Sequence, residues 1–260
     1  MSANTLSANQ DGAPQAEAGP AWKRIRVWDL PTRIFHWALV LAVTTAVVTG
    51  EIGGSWMAIH GKAGLTIVGL VAFRLVWGWL GSTHARFVNF FPSPKKIRTY
   101  LRGQWDGVGH NPLGAISVFA LLTLLALQGA SGLFSNDDIA FAGPLNTLVD
   151  QQWSNRLAGY HQWLSYGLFA LMGLHLLAIG FYLWFKKDNL VKPMVTGWKQ
   201  VKDVKPREKS AAQGSLTGFL IALFIAFVVV LLANGAGLDD APAAPAAPAA
   251  TVAPSSAPAW

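Results

Sequence analysis

The chain has no cysteine among its 260 residues. That absence excludes disulfides, iron–sulfur ligation, thiol catalysis and the Cys-x-x-Cys-His attachment of c-type haem, so any haem must be held by side-chain coordination. Charge is scarce as well: 13% of residues are charged, with 13 acidic against 20 basic. The resulting net charge of +7 does not point to nucleic acid, because the basic residues sit between apolar runs and no soluble domain carries a binding face. The N-terminal segment lacks the basic stretch and short apolar core of a cleavable signal, and residues 1–26 are expected to be a disordered tail. No hydride-transfer, hydrolytic or phosphate-binding motif is present, which leaves the chemistry to a cofactor.

What the chain has is apolar length: 52% of residues are hydrophobic and the mean hydropathy is +0.36. Five runs, near residues 34–50, 63–81, 112–134, 157–185 and 216–233, are each about long enough to cross a ~30 Å hydrocarbon core as a helix. Lys23, Arg24, Arg26 and Arg33 precede the first run, Arg86 to Arg102 follow the second, and a lysine-rich stretch from Lys186 to Lys209 follows the fourth. The positive-inside rule puts these segments and the N-terminus in the cytoplasm. Glu51, Asp137, Asp138 and Asp150 then face the periplasm with the C-terminus. The expected organisation is a tail over 1–26, a four-helix domain over 27–209, a fifth helix over 210–234 and an Ala/Pro-rich periplasmic tail over 235–260.

Four of the six histidines, His36, His60, His161 and His175, lie within or at the ends of these runs. An imidazole at membrane depth is costly unless it has a partner, so four together point to a cofactor held inside a bundle. His161 and His175 are fourteen residues apart, nearly four turns, so one helix presents both on almost one face about 21 Å apart. Matching depths under this topology pairs His36 with His175 on the inner side and His60 with His161 on the outer side. One metal cannot span that separation, and no carboxylate-rich di-iron pattern is present, so two bis-histidine haems are the simplest fit. Arg74, fourteen residues after His60, falls near the inner level, where it could neutralise a haem propionate or reach to the interface; Lys62 is the outer counterpart. Gly61, Gly64, Gly159 and Gly173 flank the histidines and leave room for a flat macrocycle or for close helix packing. Trp56, Trp77, Trp79, Trp153 and Trp184 are expected in the interfacial belt. His84, Arg86, His110 and Asn111 gather in the cytoplasmic loop, where they could line a quinone site or cap helix ends.

The runs VWDLPTRIFHW, RLVWGWLGSTHARF, GHNPLGA and HQWLSYGLFALMGLHLLAI resemble the bacterial cytochrome b561 family, which includes the b-type subunit of membrane nickel-iron hydrogenases. The resemblance covers about residues 27–190. It implies an all-α integral membrane fold in the bacterial cytoplasmic (inner) membrane: a four-helix transmembrane bundle holding two b haems, here with a fifth helix added. The ligands it implies fall on His36, His60, His161 and His175. The expected function is electron transfer between the quinone pool and a redox partner, a periplasmic c-type cytochrome or a hydrogenase-like complex. Two other readings of the residues remain at this point: a proton-coupled transporter using intramembrane His and Arg without haem, and a membrane anchor whose tail recruits a periplasmic protein.

Overall fold

The computed structural model describes residues 22–105, 107, 109–139, 141–202, 210 and 212–238. In chain order these form strand β1 (Trp22–Arg26), helices α1 (Leu30–Ile52), α2 (Met57–Leu80), α3 (Phe87–Phe90), α4 (Pro94–Leu101), α5 (Pro112–Phe134), α6 (Gln151–Trp184) and α7 (Val191–Thr196), strand β2 (Trp198–Lys202) and helix α8 (Leu216–Ala233). Helices α1, α2, α5, α6 and α8 are the five long and apolar enough to cross a membrane. The fold is therefore an all-α membrane bundle with one small ribbon.

Capping sets where these helices begin. The Asp29 carboxylate accepts from the Thr32 N–H at 2.7 Å, with Pro31 in the first turn, so α1 starts ahead of its apolar run. Asp150 does the same for α6 through the Trp153 N–H at 2.8 Å, extending that helix to 34 residues. Asn111 opens α5 by accepting from the Gly114 N–H at 2.7 Å, and Ser215 opens α8 by accepting from the Gly218 N–H at 3.0 Å. Because α2 begins at Met57, His60 lies inside the helix rather than just before it.

One part of the expected N-terminal tail is structured. Trp-Lys-Arg-Ile-Arg at 22–26 pairs antiparallel with Trp-Lys-Gln-Val-Lys at 198–202, Ile25 lying opposite Lys199. Alternation along the paired strands puts Ile25 and Val201 on one face, where they form a small core with Val27, Trp28 and Met194. The remainder of that tail, residues 1–21, and residues 239–260 of the C-terminal tail lie outside the described residues.

Helix α2 is the centre of the bundle, packing against α1, α5 and α8, while α6 packs closely on α5. Trp77 of α2 is 1% exposed and donates its indole N–H to Asp29 at 3.2 Å. It stacks on Phe73 and meets Phe219 of α8 edge-on. The belt assignment of Trp77 is thus corrected: its N–H reaches a capping carboxylate, which lets the ring be buried. Trp56, Trp79, Trp153 and Trp184 are exposed, as a belt requires. A mid-bundle layer of Ala42, Val43 and Ala46 on α1, Ala63, Ile67 and Val71 on α2, Leu125 on α5 and Leu168 on α6 closes the centre.

Small residues set the approach of α8 to α2, as is usual between membrane helices. A Cβ on Gly69 would lie 2.6 Å from the Val230 side chain. Gly69→Val is therefore expected to destabilise the protein by about 1–3 kcal/mol through overpacking, read as a lower melting temperature in detergent. An unchanged melting temperature would mean that α8 does not pack there.

Candidate functional site

The bundle has a basic end, carrying β1, α3, α4, α7 and β2, and a far end, where α1 and α5 finish and α2 and α6 begin. At the far end, His60 of α2 and His161 of α6 come together with ring centroids 6.0 Å apart and planes at 79°. His60 Nδ1 lies 2.8 Å from the Ala46 carbonyl oxygen of α1, and His161 Nδ1 lies 2.9 Å from the Gln128 carbonyl oxygen of α5. A carbonyl only accepts, so each Nδ1 carries the proton and each Nε2 keeps a free lone pair. The Ser131 hydroxyl stands 3.3 Å from the same His161 nitrogen.

At the basic end, His36 of α1 and His175 of α6 stand within electrostatic reach of each other. The structure thus places the His60 and His161 rings in contact and sets His36 and His175 at the opposite end of the bundle. Seven residues separate Leu168 from each histidine of α6, so the mid-bundle layer divides the two imidazole levels. Phe35 of α1 stacks on Phe73 of α2 at 6.5 Å, so His36 and Arg74, the residues that follow them, both belong to the basic half of the bundle.

The donor set fits b-type haem. Two imidazoles on opposite sides of one iron hold their centroids about 6 Å apart, from two metal–nitrogen bonds of about 2 Å and about 1 Å from each nitrogen to its ring centre. Among the described residues no group of three or more His, Asp or Glu gathers as a metal site. A Cβ on Gly64, Gly159 or Gly173 would meet nothing within 4 Å, and Gly159 and Gly173 lie on the exposed surface of α6. Gly61 differs, since a Cβ there would lie 2.9 Å from the Phe141 ring, and that glycine serves packing.

Arg74 is 3% exposed, with its guanidinium 4.6 Å from the centre of the Phe87 ring. One of its terminal nitrogens is buried with no hydrogen-bond partner. Asp29 and His110 are the charged and titratable groups it interacts with. A buried cation with an unmatched donor suits a carboxylate guest such as a haem propionate.

Of the four loop residues expected near a quinone, His84 and His110 border one cavity of about 180 Å³, together with Asn89, Phe90, Lys96 and Trp105. His110 is held between Trp28 and Phe90, at 4.6 and 4.3 Å between ring centroids. Burial first, and the Arg74 guanidinium and His84 beside it, push His110 down to about 3; burial also lowers His84. Both imidazoles are neutral at physiological pH. Arg86 and Asn111 do other work: Arg86 donates to the Gly81 carbonyl at 2.9 Å, and Asn111 caps α5 while donating to Tyr182 at 2.8 Å.

Sequence reasoning missed Gly50 and Gly132, which lie against the far-end imidazoles, and Trp28 and Phe90, which hold His110. A signal for the glycines exists in the repeat of Thr-Gly at 49–50 and Ser-Gly at 131–132, each placing a hydroxyl and a glycine near the end of an outgoing helix.

Residues 27–197 match the family model described as prokaryotic cytochrome b561. The probable Ni/Fe-hydrogenase B-type cytochrome subunit of Azotobacter vinelandii is 25% identical over 242 residues, covering 73% of this chain and 97% of that protein. The probable Ni/Fe-hydrogenase 1 B-type cytochrome subunit of Escherichia coli K12 is 24% identical over 216 residues, covering 68% and 91%. No solved structure matches. Five apolar helices make the chain a multi-pass membrane protein, b-type haem is its cofactor and membrane electron transfer its work, for with more than half of its length matched the chain belongs to the prokaryotic cytochrome b561 family.

Proposed function

We propose that the protein moves electrons across the bacterial inner membrane through two bis-histidine b haems, linking the quinone pool to a redox partner. The observation that carries this reading is the far-end pair: two imidazoles at 6.0 Å, both with Nδ1 on a backbone carbonyl and both Nε2 free. His60 and His161 hold the far-end haem, His36 and His175 the basic-end haem, and Arg74 faces a propionate. Each bound haem supplies one-electron chemistry. The chain's own residues fix the ligand tautomers, neutralise the propionate, and keep the two levels apart with the Leu168 layer.

The cavity beside His84 and His110 is of a size for a quinone head group, and its polar lining is mostly donors. Neutral His84 and His110, the Trp105 indole and the Lys96 ammonium can donate to a quinone carbonyl, while Phe90 offers an aromatic wall. The basic end faces the cytoplasm, as its lysine and arginine content requires, and the far end faces the periplasm. On that side the partner is a hydrogenase-like complex, as the relatives' names suggest, or a c-type cytochrome.

Ligand replacement tests the pairing. His36→Gln and His175→Gln should perturb one b-type spectrum, and His60→Gln and His161→Gln the other, because a lost ligand leaves its own iron five-coordinate and the second site intact. If His36→Gln and His161→Gln altered the same haem, the pairing would be wrong.

For orientation, a C-terminal reporter active only in the cytoplasm should stay silent; strong activity would reverse the assignment of the two ends.

His110→Phe keeps a ring between Trp28 and Phe90 while removing the nitrogens. It should slow haem reduction by quinol with both haem spectra unchanged, and unaltered kinetics would move the quinone elsewhere. The same variant carries a pH signature. Because the folded-state value is about 3 against an ordinary 6.5, the unfolded chain binds a proton that the folded chain refuses. That contribution to stability is complete above about 6.5 and is lost as pH falls toward 3. Between pH 7 and 5 the melting temperature of the wild type should fall more steeply than that of His110→Phe.

A further inference from the structure

The two far-end imidazoles are held by one small device built twice. On α1 it consists of the Ala46 carbonyl, the Thr49 hydroxyl and Gly50; on α5 it consists of the Gln128 carbonyl, the Ser131 hydroxyl and Gly132. In each copy the hydroxyl lies three residues after the carbonyl and the glycine four. Each hydroxyl reaches the carbonyl that the imidazole uses, at 3.3 Å from Thr49 and 3.0 Å from Ser131. Each glycine leaves the ring its place: a Cβ on Gly50 would lie 2.9 Å from His60 Nδ1, and one on Gly132 would lie 2.9 Å from His161 Cε1 and 3.1 Å from its Nδ1. Neither glycine has a positive φ, so backbone conformation does not demand glycine at either position. What demands it is the imidazole.

The basic end lacks this device. His36 Nδ1 is buried with no hydrogen-bond partner, and the Arg74 guanidinium is buried at the same end of the bundle, beside Phe87. The difference has an electronic consequence. An imidazole that donates Nδ1–H to a carbonyl becomes a more basic ligand through Nε2 and favours the more highly charged ferric iron. A buried cation beside a haem favours the reduced form instead.

We propose that Gly50 and Gly132 are positioning residues that seat both far-end imidazoles on backbone carbonyls and so hold the far-end haem at a lower reduction potential than the basic-end haem. The proposal rests on the bis-histidine reading and adds an ordering of the two centres set by the helix backbones.

The test is a spectroscopic redox titration of the purified full-length holoprotein, with the far-end signal identified by its loss in His60→Gln. In the wild type the far-end haem should have the lower midpoint. Gly50→Ala and Gly132→Ala push the ring off its carbonyl and should shift the far-end midpoint upward while the other stays in place. Gly167→Ala, whose Cβ would meet only Leu124 at 3.7 Å, should move neither. Ser131→Ala leaves the Gln128 carbonyl to the imidazole alone, adds no bulk, and should shift the far-end midpoint downward. If a glycine variant loses the far-end haem, Ser131→Ala decides the matter, and an unmoved midpoint there overturns the proposal. It is also overturned if glycine variants that retain haem leave the far-end midpoint unchanged, if they shift both midpoints equally, or if the far-end haem of the wild type has the higher midpoint. A wild-type protein without b-type bands would instead overturn the function proposed above, which is a separate result.

Discussion

An imidazole N–H inside a membrane has no water to bond, and everything at the far end follows from how this chain meets that constraint. Helical carbonyls are already engaged in the helix ladder, yet each has a second lone pair. The Ala46 and Gln128 carbonyls offer theirs to His60 and His161 at 2.8 and 2.9 Å. The bond fixes the tautomer, and the tautomer leaves the Nε2 lone pair of each ring available, which is what the proposed ligand role needs. Because the acceptor is backbone, the histidines are tied to helix positions and not to the rotamer of another side chain. The cost is that a carbonyl on a helix is normally shielded by the side chain one turn on, which is why that residue is glycine in both helices.

The same constraint explains the keystone role of α2. It carries His60 near one end and Arg74 near the other, and it touches α1, α5 and α8. At the basic end its Trp77 N–H and the Thr32 backbone N–H share the Asp29 carboxylate, so one residue both starts α1 and anchors α2. Helix α8 covers the opposite face of α2 through Gly69 and Phe219, which leaves the side toward α6 for the cofactor levels. Between those levels Leu168 meets the alanine-rich faces of α1 and α2. The arrangement is a bundle closed in its middle layer, with its imidazole pairs held above and below.

How much of this could be read from the sequence follows the physics of each signal. Span lengths depend on helical rise and apolar run length, which are one-dimensional, and the same rise placed His60 and His161 at one level, where their rings meet. Helix starts were less legible, because Asp29 and Asp150 extend α1 and α6 into polar sequence that hydropathy discards. Trp77 was misread, since an indole near a helix end looks interfacial until its partner, 48 residues away, is known. Arg86 and Asn111, grouped with His84 and His110 by sequence proximity, also bond locally, Arg86 Nε to the Gly81 carbonyl and Asn111 to Tyr182, contacts that the sequence does not announce. The ribbon at 22–26 was hidden because its partner strand lies far along the chain. Gly50 and Gly132 escaped notice because attention fell on glycines beside the histidines in sequence, whereas those that touch the rings lie on neighbouring helices.

The two ends are built for different tasks by the same helices. At the far end most polar groups are matched: both imidazoles have acceptors, and Ser154, 1% exposed, joins the Phe134 carbonyl, Asn136 and Asn146 into a seam where α5 gives way to α6, while the Gln128 side-chain oxygen is buried without a partner. At the basic end Arg74, His36, His84, His110 and Trp105 each keep a buried polar atom without a partner. Buried donors left unmatched cost stability wherever nothing answers them, so their collection at one end marks the place where guests with acceptor oxygens belong. A haem propionate and a quinone carbonyl are both of that kind. The asymmetry of unmatched polar atoms, more than the symmetry of the four histidines, tells the two ends apart.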